Sequence, residues 1–272
     1  MTAIAVRVHI AGKDFVLLPF YKDGMPLAQG ARWGMTVRRA GSMRFRWNET
    51  NEHRQRTLAS LCGERQPVPL ELIHSKIVYD ITAQTDTDGK TGDGMITRNA
   101  MLVPVVTVAD CVPLFLYDER TRVFGACHSG WKGTGIIAEA LALAQNRYGT
   151  NPRDVCVAIG PHIHACCYTV DEDRAAYFAR EFSADCVEQV RDTDGATRYR
   201  LSLAKANETV LARAGVRTEN IVVADDCTAC AQDAHGDYPF GSFRRQAAFA
   251  PDLTNDERSR AMTVQAAFCG WL

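Results

Sequence analysis

The residues best suited to chemistry are Cys111 and His128, which sit at two breaks in one largely apolar stretch, TVADCVPLFLYDERTRVFGACHSGWKG, over 107–133. A cysteine thiolate is a soft metal ligand and a nucleophile, and an imidazole is a ligand and a base. A thiolate and an imidazole at neighbouring strand ends can converge on one point. His74, in Glu71-Leu72-Ile73-His74-Ser75, is the best candidate for a third ligand. Three such donors have the stoichiometry of an open catalytic zinc site, with a fourth position left for water or substrate. The donors are borderline-soft nitrogen and sulfur and suit zinc or copper. Cys111 and His128 alone would instead serve as nucleophile and base, and both chemistries stay open at this point.

Three further groups compete. His162, His164, Cys166 and Cys167 form the most metal-like string by composition, although a loop with a buried cysteine pair that lines the pocket is the expected reading. Cys227-Thr228-Ala229-Cys230 is a CxxC, half of a zinc site or a redox pair. Downstream it finds only Cys269, so a structural or pocket-lining role is expected. Arg244 and Arg245 are adjacent. On an extended chain they point to opposite faces, so that one reaches a phosphate or carboxylate with its fork of donors while the other makes a structural pair.

The elements that position these groups follow from pattern. Val103 to Val108, Val112 to Tyr117 and Val123 to Cys127 read as strands, with 118–120 as a turn. Ile73 to Ile81 reads as a strand bearing His74, and residues 82–94 as a polar, glycine-rich loop. Ala3 to His9 and Asp14 to Pro19 read as a hairpin turning at Ala11-Gly12-Lys13. Residues 23–47 are rich in glycine and arginine and read as a solvated loop with an edge strand, the sharper reading being a phosphate contact. Helices are expected over 48–61, 134–148, 171–182 and 202–214, with Gly63, Gly149 and Gly215 as stops and Thr134 as an N-cap. The glycine-rich turn beside His128 offers backbone N–H groups at a helix start, which favours anions. Val155 to Ile159 and Ile221 to Ala224 are further strands. Strands alternate with helices but several are adjacent, so the fold class is α/β (α+β), with mixed sheets flanked by helices in one domain over residues 1–272.

ADCVPLFLYD followed by ACHSGWKG resembles the family variously called YfiH-like proteins, multicopper polyphenol oxidases, laccase-domain proteins and peptidoglycan editing factors. ELIHS, DGMIT (93–97), AIGPHIHACCYTV (158–170), DDCTAC and FGSFRRQ match its other segments in order, over most of the chain. The resemblance implies a YfiH-like fold and a zinc (or copper, Cu2+) centre at His74, Cys111 and His128. It also implies phosphorolysis of adenosine, inosine and methylthioadenosine to free base and pentose 1-phosphate, with adenosine deaminase activity. In that reading Arg245 or Arg244 holds phosphate, Asp93 positions the ribose or a ligand histidine, and Gly94 and Gly130 let the backbone approach the substrate. The family's fold is shared with a toxin that deamidates its target through a Cys/His pair. The second reading is therefore a Cys111/His128 hydrolase or amidase in peptidoglycan-precursor editing. A laccase-like copper oxidase ranks third, because only seven histidines are present. Glu71, Cys127 and Lys132 depart from the family's usual residues, and 30–50 lacks its asparagine-leucine segment.

Composition bounds the rest. Thirty-one basic and 32 acidic residues nearly cancel, which gives no reason to expect nucleic acid or an anionic membrane as partner. The start of the sequence lacks an apolar signal region and no stretch of 18 apolar residues occurs, so no membrane span is expected. Without a secretion signal the ten cysteines are expected to be reduced thiols in a cytoplasmic protein.

Overall fold

Alternation within buried strands sets the architecture. In Val112–Tyr117 all six residues are buried. Val112, Leu114 and Leu116 join one core, and Phe115 and Tyr117 join another. Such two-sided burial requires cover on both faces of the sheet, which is why the strand is apolar throughout rather than alternating with polar residues. The computed structural model describes residues 3–8, 10, 12–191, 195–248 and 252–272.

Val112–Tyr117 lies at the centre of a seven-stranded mixed sheet, ordered Ile4–Val6, Ile221–Ala224, Cys156–Ile159, Val112–Tyr117, Phe124–Ser129, Gly94–Thr97 and Val78–Asp80. One face packs on the helices Ile136–Tyr148, Glu172–Glu181 and Leu203–Arg213. The other packs on a five-stranded sheet, ordered Phe15–Pro19, Arg32–Thr36, Gln265–Gly270, Leu102–Val108 and Gln66–Pro69. That second sheet is covered in turn by Leu58 and Cys62 of the helix Glu52–Cys62. The result is four layers, helix, sheet, sheet, helix. Both large sheets mix parallel and antiparallel pairs, as the interleaving of adjacent strands and helices implies.

Several local expectations are corrected. Ile4–Val6 does not turn back on Phe15–Pro19; it pairs in parallel with Ile221–Ala224, while Phe15–Pro19 pairs with Arg32–Thr36. His9 and Ala11 of the expected hairpin lie outside the described residues. Arg32–Thr36 is an inner strand of its sheet, not an edge. The strand expected over 73–81 shrinks to Val78–Asp80. The helix after the glycine-rich turn begins at Ile136 with Gly135 as its cap, because the Thr134 hydroxyl donates instead to the Gly130 carbonyl at 3.1 Å. Arg244 and Arg245 lie in a short helical turn, Phe243–Gln246, not on an extended chain. Asn51, Asp171 and Ser202 cap their helices by accepting from the backbone N–H three residues on, the interaction that favours these residue types there.

Candidate metal centre

Cys111 and His128 meet because the strands that follow and carry them are antiparallel partners. Pro113 pairs with His128 and Val112 with Ser129, so the residue before the first strand lies beside the end of the second. His74 arrives from outside the sheet, on the loop before Val78–Asp80, with a left-handed φ of 61°. Nε2 of His74 lies 3.9 Å from Cys111 Sγ, and the rings of His74 and His128 stand edge-on at 4.8 Å. The donor atoms of the three residues all fall within 4.8 Å of one another. They form a group able to hold a metal ion, with His128 buried, Cys111 half-buried and His74 exposed.

Asp93 is the organiser of this group. It is fully buried at the start of Gly94–Thr97. Its Oδ1 accepts from His128 Nδ1 at 2.8 Å and from the His74 N–H at 3.0 Å. Its Oδ2 accepts from the Ser75 N–H at 2.6 Å and the Ser75 hydroxyl at 2.7 Å. One carboxylate thus fixes the proton of His128 on Nδ1, which leaves Nε2 as the free donor, and ties down the strained turn that presents His74. Burial alone would raise the Asp93 carboxyl, but the bonds from His128 and Ser75 outweigh it and hold its pKa below the ordinary value.

With only protons at the centre, the surroundings of Cys111 and His128 favour the thiolate of one and the imidazolium of the other. Burial pushes the Cys111 thiol up, yet the His128 charge and the bonds from His128 and His74 draw it down to about 6. Burial pushes His128 down, while the Cys111 thiolate and Asp93 push it up to about 10. The same negative environment that holds the extra proton favours a cation in its place.

The centre opens into a cavity of about 700 Å³, within the range of small-molecule sites. Arg44, Arg46, Arg174 and Arg244 line it with Phe45, Trp131 and Tyr168. Arg44 is held in ion pairs with Glu49 and Asp256. Arg174 stacks over the Trp131 ring at 4.3 Å. The Arg244 backbone N–H donates to Asp110 at 2.6 Å and its guanidinium to the Thr169 carbonyl at 3.1 Å.

Arg245 is not on the cavity wall; its guanidinium donates to the carbonyls of Thr228, Ala229 and Phe240. Gly94 lies within the sheet, where an added Cβ would meet Cys127 Sγ at 2.8 Å and Val78 at 3.0 Å. A Cβ on Gly130 would lie 2.7 Å from the His74 ring and 3.2 Å from Cys111 Sγ. Both glycines therefore answer to packing, Gly130 at the centre itself. Trp131, Tyr168 and Arg174 were not singled out from the sequence. Trp131 had a signal, a large aromatic in the glycine-rich turn after His128. The string His162 to Cys167 divides: the His162 and His164 rings meet at 4.5 Å, tilted by 43°, whereas Cys166 and Cys167 join Cys227 and Cys230.

With this geometry in view, the comparisons with known proteins agree on a family. Residues 46–249 match the family described as multi-copper polyphenol oxidoreductase laccase, and the chain belongs to it. Purine nucleoside phosphorylase YlmD of Geobacillus stearothermophilus is 36% identical over 140 residues, 51% of this chain and 51% of that protein, so the chain spans about half its length. A purine nucleoside phosphorylase of Clostridium acetobutylicum is 32% identical over 178 residues, 65% of this chain and 70% of that one. Adenosine deaminase RL5, from an unknown prokaryotic organism, is 34% identical over 140 residues, 51% of this chain and 53% of that one. The crystal structure of YlmD from Geobacillus stearothermophilus superposes with a TM-score of 0.76 at 25% identity, covering 97% of this chain and 98% of that one. Among the described residues no helix is long and apolar enough to cross a membrane.

Proposed function

We propose that this chain is a zinc-dependent purine nucleoside phosphorylase with adenosine deaminase activity, taking adenosine, inosine and methylthioadenosine. The observation that carries the reading is the convergence of His74, Cys111 and His128 beside a cavity lined by arginines and aromatic rings. The donor set fits a metal: two imidazoles and a thiolate within reach of one point, His128 oriented by a buried carboxylate, and, among the described residues, no fourth protein donor in the group. A zinc ion there supplies a Lewis acid that polarises a substrate atom. Relatives named phosphorylase and deaminase supply the reaction class.

In the proposed phosphorolysis a phosphate oxygen bonds to C1′ of the ribose while the C1′–N bond breaks. Its electron pair leaves with the purine, which takes up a proton. Arg244 and Arg46 hold the phosphate, with planar donor forks suited to its oxygens. Trp131 and Tyr168 offer ring faces to the base. In deamination the oxygen of water bonds to C6 of adenosine and ammonia departs. Asp93 keeps the His128 proton on Nδ1 throughout.

One observation favours a second reading. Asp93, His128 and Cys111 stand in the order of a carboxylate-oriented base and its thiolate, the arrangement of a hydrolase or amidase that uses Cys111 as nucleophile, in peptidoglycan-precursor editing. Elemental analysis joined to one assay separates them: adenosine with and without phosphate, products resolved by chromatography, for wild type and His74→Ala. Zinc in the purified protein and phosphate-dependent release of adenine, lost in the variant, support the first reading. Wild type that holds no more zinc than His74→Ala and is inert toward nucleosides overturns it and directs attention to amide substrates.

A further inference from the structure

Among the described residues, the largest group of metal donors outside the cavity is made of four cysteines. Cys166, Cys167, Cys227 and Cys230 bring their Sγ atoms within 4.8 Å of one another. Cys166 Sγ lies 3.8 Å from Cys167 Sγ and 3.7 Å from Cys230 Sγ. Four sulfurs each about 2.3 Å from a central zinc form a tetrahedron with edges of about 3.8 Å. A disulfide would bring one pair to about 2.0 Å, far inside the observed spacing. We propose that Cys166, Cys167, Cys227 and Cys230 form a second metal site, a closed four-thiolate site for zinc, separate from the centre at His74, Cys111 and His128.

The backbone builds this site from two tight turns. In one, the N–H groups of Cys167 and Tyr168 donate to the His164 carbonyl, each at 3.0 Å. In the other, the Ala231 N–H donates to the Cys227 carbonyl at 2.9 Å. A parallel bridge between His162 and Cys227 sets the two turns side by side, and the Thr228 N–H donates to the His162 carbonyl at 2.9 Å. N–H donors already face a sulfur: His164 gives its N–H to Cys227 Sγ at 3.4 Å, and Ala229 and Cys230 donate to the same atom. Such donors offset the negative charge of a thiolate cluster. Four protein ligands leave no open position, so the site is structural.

What it holds together is the cavity wall. The first turn runs from Ile163 to Tyr168, both of which line the cavity. The second carries Thr228, whose hydroxyl donates to Asp110 at 2.7 Å, next to Cys111. A metal at the four cysteines staples these segments across 64 residues of chain, adding to the small apolar cluster of Ile163, Cys227 and Ala229 that the two turns share.

The test uses the full-length protein, reduced, reloaded with zinc alone and desalted. The expected contents are two zinc ions in wild type, one in His74→Ala and one in Cys166→Ser/Cys230→Ser. Cobalt-loaded His74→Ala is expected to show the absorption bands of tetrahedral tetrathiolate cobalt. Should the double variant fail to fold, wild type alone decides: peptide mapping after alkylation is expected to find these four cysteines protected with zinc and modified after chelation. One zinc in wild type, with the four thiols equally reactive with and without zinc, overturns the site. So does a Cys166–Cys230 disulfide that, once reduced, takes up no metal. Neither outcome touches the proposed reaction, which stands or falls with the zinc lost in His74→Ala.

Discussion

Asp93 Oδ1 accepts a 2.8 Å hydrogen bond from His128 Nδ1 and a 3.0 Å bond from the backbone N–H of His74, so one buried atom aligns two of the three donors at the candidate centre. Replacing the carboxylate by an amide keeps the shape and removes the charge. Asp93→Asn turns an NH₂ group toward donors that already fill the site. It is expected to weaken zinc binding about 10- to 100-fold, the usual effect of losing such a partner, and to cost about 2 kcal/mol of stability. Zinc affinity by competition with a chelator and a urea unfolding curve measure the two effects. Unchanged zinc affinity would remove Asp93 from its organising role.

Gly130 lies against the centre, whereas Gly94 lies within the sheet, paired with Cys127. In Gly130→Ala the new methyl collides with the His74 ring and crowds Cys111 Sγ. His74 is exposed and on a loop, so it yields, and the expected result is loss of metal binding with little loss of stability. In Gly94→Ala the methyl meets Cys127 and Val78 inside a buried sheet, which costs about 1–3 kcal/mol by overpacking. Thermal melts beside zinc content check the contrast. Equal effects of both substitutions on melting temperature would contradict it.

Arg244 and Arg245 are adjacent in sequence and differ in role by geometry. Arg244 lines the cavity, so Arg244→Ala is expected to raise the KM for phosphate about 10- to 100-fold, the worth of a charge-assisted bond, and to leave stability nearly unchanged. Arg245 satisfies the carbonyls of Thr228, Ala229 and Phe240. Arg245→Ala is expected to lower stability by about 2 kcal/mol or more. Steady-state kinetics in phosphate and a melting curve for each variant give the answer. A reversed pattern would move the phosphate role to Arg245.

Most of the centre was legible in the sequence because Cys111 and His128 flank a short hairpin, where strand pairing follows from the turn at Asp118 and the alternation of Val112 to Tyr117. What the sequence hides is pairing over distance. Ile4–Val6 has the pattern of a strand, but nothing local shows that its partner is Ile221–Ala224 rather than the next strand. His74 was expected on a strand; three N–H and O–H donors converging on Asp93 hold it in a left-handed bend instead. Cys227 and Cys230 had no second pair downstream, and the pair they meet lies upstream in a separate turn. A spacing rule that looks along the chain misses a cluster assembled across it.

The charge state of Cys111 yields the sharpest pH prediction. In protein stripped of metal, the pull of His128 and His74 outweighs burial and draws the thiol down to about 6. Alkylation requires the thiolate, so the rate at Cys111 is expected to rise about tenfold between pH 5 and 7 and then level. The half-buried Cys111 faces the cavity, which gives the reagent access. Cys166 and Cys230 are also exposed, so the rate is read from the Cys111 peptide by mass spectrometry. Stability follows with opposite signs from the two partners. The Cys111 contribution is complete above the unfolded thiol value and is lost as pH falls through about 6. The His128 contribution is complete below the unfolded imidazole value and is lost as pH rises through about 10. The melting-temperature gap between stripped wild type and Cys111→Ala should therefore be widest between these limits and should shrink by pH 5. Zinc should suppress the alkylation across the whole range, since it occupies the sulfur. An alkylation rate that keeps climbing through pH 9, as for an ordinary thiol, would show that Cys111 and His128 do not form the ion pair.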